Sequence, residues 1–191
     1  MMGDSKNFLR GATFATHSRS PVASTPRAAP RRYTIPGARF TPRFFAEYNY
    51  ASGDSNPGDG RRGTFDQLYP TGHDKYGLAD QVGWQNIEHL RGGVEFNPSP
   101  KWLASGKYSA WWLADPPDAL YNTGGGVVAR VSSGTAGRFV GQELDLQTAY
   151  TFPRQFQIGG GFGHIFPGTF LRNATPGNSF NFPYATATYT F

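Results

Sequence analysis

Alternation of apolar and polar positions is the clearest pattern in the chain, and two stretches show it best. In residues 44–51 and 88–96, apolar side chains occupy every second position, and the second stretch places Arg91 and Glu95 opposite to Leu, Val and Phe. An alternation of period two predicts β-strands with one apolar and one polar face. Such strands suit a membrane barrel with lipid outside and water inside, and they equally suit a soluble β-sandwich with its apolar faces turned inward.

The same alternation predicts six strands. They cover residues 43–51, 85–97, 101–114, 139–152, 156–166 and 180–191. A composition with 25 Gly, 15 Pro, 10 Tyr and 16 Phe residues favours short strands with turns over helices. Long loops alternate with short turns along this series, as in outer-membrane barrels. We therefore predict an all-β fold, an antiparallel up-and-down meander that forms part of a larger outer-membrane β-barrel.

The basic charge is concentrated at the N-terminus. Of the 18 Lys and Arg residues, eight lie in residues 1–43, which contain only one of the 13 acidic residues. We predict a disordered basic tail over residues 1–40, followed by a folded domain over residues 41–191, and no nucleic-acid-binding face. The tail lacks the apolar run of a secretory signal peptide, so we interpret it either as a transit-peptide-like segment or as an unphysiological start.

Several classes of protein are excluded by the sequence. No apolar run approaches the roughly 18 residues that a membrane-spanning helix needs. The absence of Cys excludes disulfides, thiolate catalysis and Cys-ligated zinc. His73 and Asp74 lie in a long loop without a matched nucleophile, and His89 and His164 lack metal-ligand spacing. We predict no enzyme, metal or cofactor, although loop carboxylates as Ca²⁺ ligands and an outer-membrane hydrolase were weaker alternatives.

Motifs in the long loops and in the strands beside them resemble a known family. They are Y-A-S-G-D at residues 50–54, N-P-G-D-G at 56–60, G-T-F-D-Q-L-Y-P-T-G-H at 63–73, G-W-Q-N at 83–86, W-L-A-D-P-P-D-A-L-Y at 112–121 and V-G-Q-E-L-D-L at 140–146. From about residue 43 onward, the chain resembles the C-terminal part of the bacterial alginate export family of outer-membrane β-barrels. The resemblance implies a location in the outer membrane and a pore through which an anionic polysaccharide, alginate, passes.

Six charged side chains fall on the predicted inner face, and we take them as candidate substrate-binding residues. They are Glu47, Arg91, Glu95, Lys107, Glu143 and Asp145. The two cations would attract uronate carboxylates, while the acidic groups would shape the path and prevent tight trapping. In the alternative interpretation, each of these six residues is an ordinary charged side chain that pairs with a charge on a neighbouring strand.

The end of the chain predicts a further partner. Phe191 is the last residue and Tyr189 shares its face, so the end resembles the C-terminal strand that the barrel assembly machinery recognises. A last strand that merely ends in an aromatic residue is the alternative. Outer-membrane lipid and the anionic polysaccharide are the other expected partners.

The number of strands conflicts with a complete pore. Single-chain barrels have eight or more strands, and open sheet edges are not tolerated in hydrocarbon. We therefore expect a fragment, or a chain that closes a barrel together with other chains. The alternative function is a non-transporting β-sheet module that binds partners through aromatic, Gly-rich loops, and a requirement for detergent would separate the two.

Overall fold

The structure is a computed structural model that describes residues 27–69, 73–154 and 156–191. Its elements are β1 (Arg27–Thr34), β2 (Arg43–Ala51), β3 (Ile87–Ser99), β4 (Trp102–Leu113), β5 (Ala119–Tyr121), β6 (Val127–Arg130), β7 (Phe139–Thr151), β8 (Phe156–Pro167), α1 (Thr169–Ala174) and β9 (Phe180–Tyr189). Within these residues, seven strands form one antiparallel sheet in the order β1-β2-β3-β4-β7-β8-β9. The small β5–β6 pair lies in the loop that joins β4 to β7. The predicted antiparallel up-and-down meander is confirmed.

All six predicted strands are present, but β1 was not predicted. It lies inside the segment that the sequence assigned to the disordered tail, so the tail prediction is wrong for residues 27–34. The backbone of β1 pairs along the whole of β2, and this pairing overrides the weak local preference of the segment. Pro30 is compatible with β1 because an edge strand leaves one row of N–H groups unpaired. The rest of the predicted tail, residues 1–26, lies outside the described residues.

The two faces of the sheet differ as the alternation predicts. One face exposes large apolar side chains, among them Phe44, Leu90, Tyr108, Leu144, Leu146, Ile158, Phe162 and Phe166. The opposite face buries polar and charged side chains, including Glu47, Asn49, His89, Ser109, Glu143 and Asp145. We call these the outer face and the inner face. The sheet is therefore the reverse of a water-soluble sandwich, in which the buried face would be apolar.

Val140 departs from the predicted alternation. The alternation of residues 139–152 gives it the same facing as Leu144 and Leu146, which lie on the outer face, but its side chain is fully buried. Trp111 pairs with Gly141 whereas Trp112 pairs with Phe139, so Val140 is the extra residue of a β-bulge. A bulge reverses the facing of the residue that it inserts, and Val140 turns into the buried core as a result.

The hydrophobic core lies at the end of the sheet where the long loops connect the strands. It consists of Ala51, Tyr76, Val82, Ile87, Trp111, Leu113, Leu120, Ala129, Ala136, Val140 and Phe170. The loop of residues 52–86, the loop of residues 114–138 and α1 each contribute to it. The core therefore orders the loops rather than the middle of the sheet.

Among the described residues, α1 has only six residues, and no helix has the length and apolar character that crossing a membrane requires.

Hydrogen bonds to buried side chains join the two longest loops. Asn86 adopts a left-handed backbone conformation with φ of 50°, and its side-chain amide donates to the carbonyls of Asp115 and Ala119 at 3.0 and 2.9 Å. Asp118 is buried and accepts a hydrogen bond of 2.6 Å from the hydroxyl of Thr64. Because both residues bridge loops that are distant in sequence, the first loop is held in a defined position over the sheet.

Candidate functional site

The register of the strands brings the predicted charged residues into neighbouring rows on the inner face. Glu47 of β2 lies opposite Arg91 of β3, and Lys107 of β4 lies opposite Asp145 of β7. Glu95 lies in the next row beyond the Lys107–Asp145 pair, toward the short turns, and it pairs with Arg43. Side chains that face each other across an antiparallel pair are close enough to interact. The sequence-based assignment of these residues to the inner face is thus consistent with the register.

Part of the first loop lies against this face, which the sequence did not predict. We call residues 73–80 the inner segment. Arg91 donates hydrogen bonds to the carbonyls of Asp74 and Lys75 at 3.1 and 3.0 Å. Lys107 forms an ion pair with the Asp74 carboxylate. Arg91 and Lys107 on the inner face therefore both bind a segment of the same chain.

Two carboxylates lie beneath the inner segment. Glu143 and Asp145 are each about 1% exposed, and Glu143 accepts a hydrogen bond of 3.0 Å from the backbone N–H of Ala79. Gly163 makes this close approach possible, because a Cβ there would lie 2.9 Å from the Glu143 carboxylate and 3.5 Å from Cβ of Leu78. A glycine in a strand often marks such a close approach of another part of the chain.

A cavity of about 450 Å³ remains between the inner segment and strands β1 to β4, and we call it the inner cavity. Its lining consists of Pro30, Arg32, Arg43, Phe45, Ala46, Glu47, His73, Asp74, Lys75, Arg91, Glu95 and Lys107. With His73 neutral, five cations face three carboxylates, so the lining carries an excess of positive charge. A concave, cationic surface of this kind attracts anionic ligands and raises their local concentration.

The charges of the inner cavity are arranged in pairs. Glu47 accepts hydrogen bonds from Nε and Nη2 of Arg91 at 3.2 and 3.1 Å, and it lies 3.9 Å from Nζ of Lys75. The Arg91 guanidinium also lies over the ring of Phe45, 5.4 Å from its centroid. These contacts fix the plane of the guanidinium and, together with the two carbonyls of the inner segment, engage four of its five N–H donors.

The structure brings four of the six candidate residues together and separates the other two. Glu47, Arg91, Glu95 and Lys107 line the inner cavity. Glu143 and Asp145 lie under the inner segment, where their contacts are to the protein itself. Whether any of the six binds substrate stays a prediction.

Comparison with known proteins supplies the family. A family model described as alginate export matches residues 9–184, which is most of the chain. The chain belongs to the alginate export family. No curated protein matches it in a sequence search.

The alginate export match extends further than the resemblance seen in the sequence. We expected the likeness to begin near residue 43, but the match begins at residue 9 and includes β1. The family is one of transport, which places this chain in alginate export. In the described part of this alginate export protein, no group of three or more His, Cys, Asp or Glu side chains could hold a metal ion.

Sequence reasoning missed several cavity residues in this alginate export protein. Arg43 could have been found, because it shares the alternation of Phe45 and Glu47. Arg32 and Lys75 gave no such signal, since one depends on the unpredicted pairing of β1 and the other on the insertion of the loop.

A buried polar cluster lies beside the inner cavity. The ring of Tyr76 is 5.4 Å from that of His89, which lies 6.3 Å from that of Trp111. The Tyr76 hydroxyl is buried and has no hydrogen-bond partner among the described residues. Burial raises the pKa of Tyr76 well above its ordinary value, and the nearby Glu47 carboxylate raises it further while Arg91 opposes the shift. Tyr76 thus anchors the inner segment as a neutral, largely buried ring.

Proposed function

We propose that the sheet forms part of the wall of an outer-membrane pore that exports an anionic polysaccharide of the alginate type. The observation that carries this proposal is the opposite character of the two faces: the outer face is exposed and apolar, and the inner face is polar and lined by cations. Such a wall matches lipid on one side and an aqueous path on the other.

The outer face supports the location in a membrane. Aromatic side chains lie on or near it at the end where the short turns connect the strands, among them Trp102, Tyr150, Phe152 and Phe156. Further from the short turns, Leu144, Leu146 and Phe162 expose between 42% and 53% of their surface. An apolar band with an aromatic girdle is the surface that outer-membrane barrels present to lipid. A water-soluble binding module would leave this large apolar area in contact with water.

The inner cavity supports an anionic substrate. Uronate sugars carry one carboxylate per residue, and the Arg91 guanidinium adds positive charge to the cavity surface although Glu47 and the inner segment engage most of its N–H donors. Lys75 and Lys107 add charge on the same surface. Because carboxylates are interspersed among these cations, a uronate chain would be attracted without being held tightly.

The open edges of the sheet support a larger assembly. In the described residues, β1 and β9 lie at opposite ends of the sheet order and do not pair with each other. Unpaired edges are unfavourable in hydrocarbon, so we propose that further strands continue the sheet on both sides and close the barrel. These strands would come from the same polypeptide or from other chains.

We propose that the C-terminal strand is also a recognition element for the barrel assembly machinery. Tyr189 and Phe191 are well exposed at the end of β9 and beyond it. An exposed aromatic end at the edge of a sheet is available for pairing with another strand. A substitution of Phe191→Ser should therefore lower the amount of assembled protein in outer membranes, and an unchanged amount would contradict this role.

The experiment that tests the function is expression of the full polypeptide followed by membrane fractionation and conductance measurements in planar bilayers. We expect extraction only with detergent and a conductance that a mannuronate hexasaccharide blocks but a neutral maltohexaose does not. A protein that stays in solution without detergent would instead favour the non-transporting module. A membrane protein without conductance would contradict the pore.

A further inference from the structure

We propose that Asp74 is an internal competitor of the substrate. Its carboxylate forms an ion pair with the ammonium of Lys107 when no substrate is bound, and a uronate carboxylate displaces the Asp74 carboxylate from this pair. This inference rests on the proposed function, because it requires a uronate ligand in the inner cavity. It adds a specificity-determining residue in the first loop, outside the strands that carry the predicted substrate contacts.

In the ion pair between Asp74 and Lys107, the Asp74 carboxylate is the same charged group that a uronate ligand would present. Lys107 lies on β4 with a side chain only 10% exposed, and Asp74 reaches it from the inner segment with a side chain that is 30% exposed. Both residues line the inner cavity. The Asp side chain and a uronate share the same charged group, so a sugar carboxylate that enters the cavity meets Lys107 at a place already shaped for a carboxylate.

The local structure makes Asp74 easy to displace. Its backbone has a φ of 63°, a left-handed conformation that Asp and Asn adopt more readily than other residues with a side chain. Its Oδ1 atom is buried and has no hydrogen-bond partner among the described residues. The Asp145 side chain, which is also buried, lies opposite Lys107 in the sheet, so a second acidic group competes for the same ammonium. The ion pair with Lys107 thus holds a carboxylate whose other contacts are unfavourable.

Exchange of one carboxylate for another gives selectivity. A uronate that replaces Asp74 leaves Lys107 paired throughout, so no buried cation is exposed during the exchange. A neutral sugar offers no replacement charge and leaves Asp74 in place. After the uronate moves on, Asp74 returns to Lys107 and weakens the hold on the substrate, which suits transport rather than storage.

The test compares three variants of the full polypeptide in detergent by calorimetric titration with a mannuronate hexasaccharide. Asp74→Asn keeps the size of the side chain and tolerates the left-handed backbone, and Asp74→Gly removes the side chain without strain. Asp80→Asn is the matched control, because Asp80 also has a positive φ of 56° in the same segment but pairs with His73 instead of Lys107 and does not itself line the inner cavity.

We expect Asp74→Asn and Asp74→Gly to bind the hexasaccharide about fivefold more tightly. This factor corresponds to a natural protein in which Asp74 pairs with Lys107 in about four fifths of the molecules, so that only about one fifth are free to bind the sugar. Asp80→Asn should bind like the natural protein, and adding Lys107→Gln to Asp74→Asn should abolish the gain. Unchanged or weaker binding by both Asp74 variants would overturn the inference while the proposed function stands. Absence of binding by the natural protein and every variant would refute the proposed function and this inference with it.

Discussion

Glu143 accepts a hydrogen bond of 3.0 Å from the backbone N–H of Ala79, and this contact joins the inner segment to β7 of the wall. The carboxylate is about 1% exposed, so water cannot replace the bond in the folded protein. Removal of one partner of a buried hydrogen bond leaves the other partner unsatisfied, which costs about 1–3 kcal/mol. The position of the first loop therefore depends on a side chain that is 64 residues away in sequence.

Removal of this side chain should loosen the inner segment without unfolding the sheet. In Glu143→Ala, we expect amide hydrogen exchange of the inner segment to become about 30-fold faster, which corresponds to about 2 kcal/mol. Mass spectrometry of the peptides that cover the segment measures this rate. Gln147→Ala is the control, because Gln147 lies on the same strand but donates to Tyr184. Equal exchange in the two variants would show that Glu143 does not hold the loop.

The close approach of the loop to β8 predicts that Gly163 tolerates no side chain. A Cβ at this position would lie 2.9 Å from the Glu143 carboxylate and 3.0 Å from that of Asp145, both buried. We expect Gly163→Ala to lower the free energy of unfolding by about 1–3 kcal/mol, since overpacking displaces neighbouring groups. Gly106→Ala should change it little, because its Cβ would meet Leu146 at an ordinary 3.6 Å. Thermal unfolding in detergent compares the two, and equal stabilities would contradict the packing.

The proposed contact of the outer face with lipid predicts that a charged substitution costs more near the middle of a strand than at its end. Leu146 lies in the interior of β7 and exposes 53% of its surface, whereas Phe156 begins β8 beside a short turn. We expect Leu146→Arg to reduce stability in lipid by about 2–4 kcal/mol and Phe156→Arg by about 0–1 kcal/mol. Folding titrations into lipid vesicles measure both values. A Leu146→Arg variant as stable as the natural protein would favour a water-exposed face.

Burial of Tyr76 predicts a loss of stability in alkali. Its pKa is raised above the ordinary value of 10.0, so the folded protein retains the phenolic proton more strongly than the unfolded chain does. This contribution is complete below pH 10 and decreases as the pH rises through 10 toward the folded pKa. The unfolding temperature of Tyr76→Phe should therefore fall less steeply above pH 10.

The control for this measurement is Tyr33→Phe, because the side chain of Tyr33 is 65% exposed. Its unfolding temperature should fall with pH as steeply as that of the natural protein. Parallel curves for all three proteins would show that the Tyr76 phenol does not ionise differently in the folded state.

The sequence predicts the strands of the sheet better than the elements around them. Alternation over nine or more residues leaves little choice of register or facing, and Glu47, Arg91 and Lys107 lie on the inner face as predicted. Val140 breaks the pattern because the bulge depends on the partner strand. The β1 strand was missed since its pairing with β2 is stabilised by backbone hydrogen bonds that carry no side-chain pattern.

The candidate site was predictable only where it lies on strands. Arg91, Lys107 and Glu95 follow from alternation. Asp74 and Lys75 reach the same cavity because distant contacts fold the first loop inward, and no local pattern in the loop encodes those contacts. The prediction for Glu143 and Asp145 was correct in facing, but the inner segment covers both.

Selective passage of a uronate chain tests the account most directly. The measurement is the rate at which mannuronate and maltose hexasaccharides leave vesicles that contain the full polypeptide. We expect release of the mannuronate compound to be at least about tenfold faster at low ionic strength, with the difference shrinking as salt screens the cations of the inner cavity. Equal rates for the two sugars, or no release of either, would contradict the assignment of this wall to an anionic polysaccharide pore.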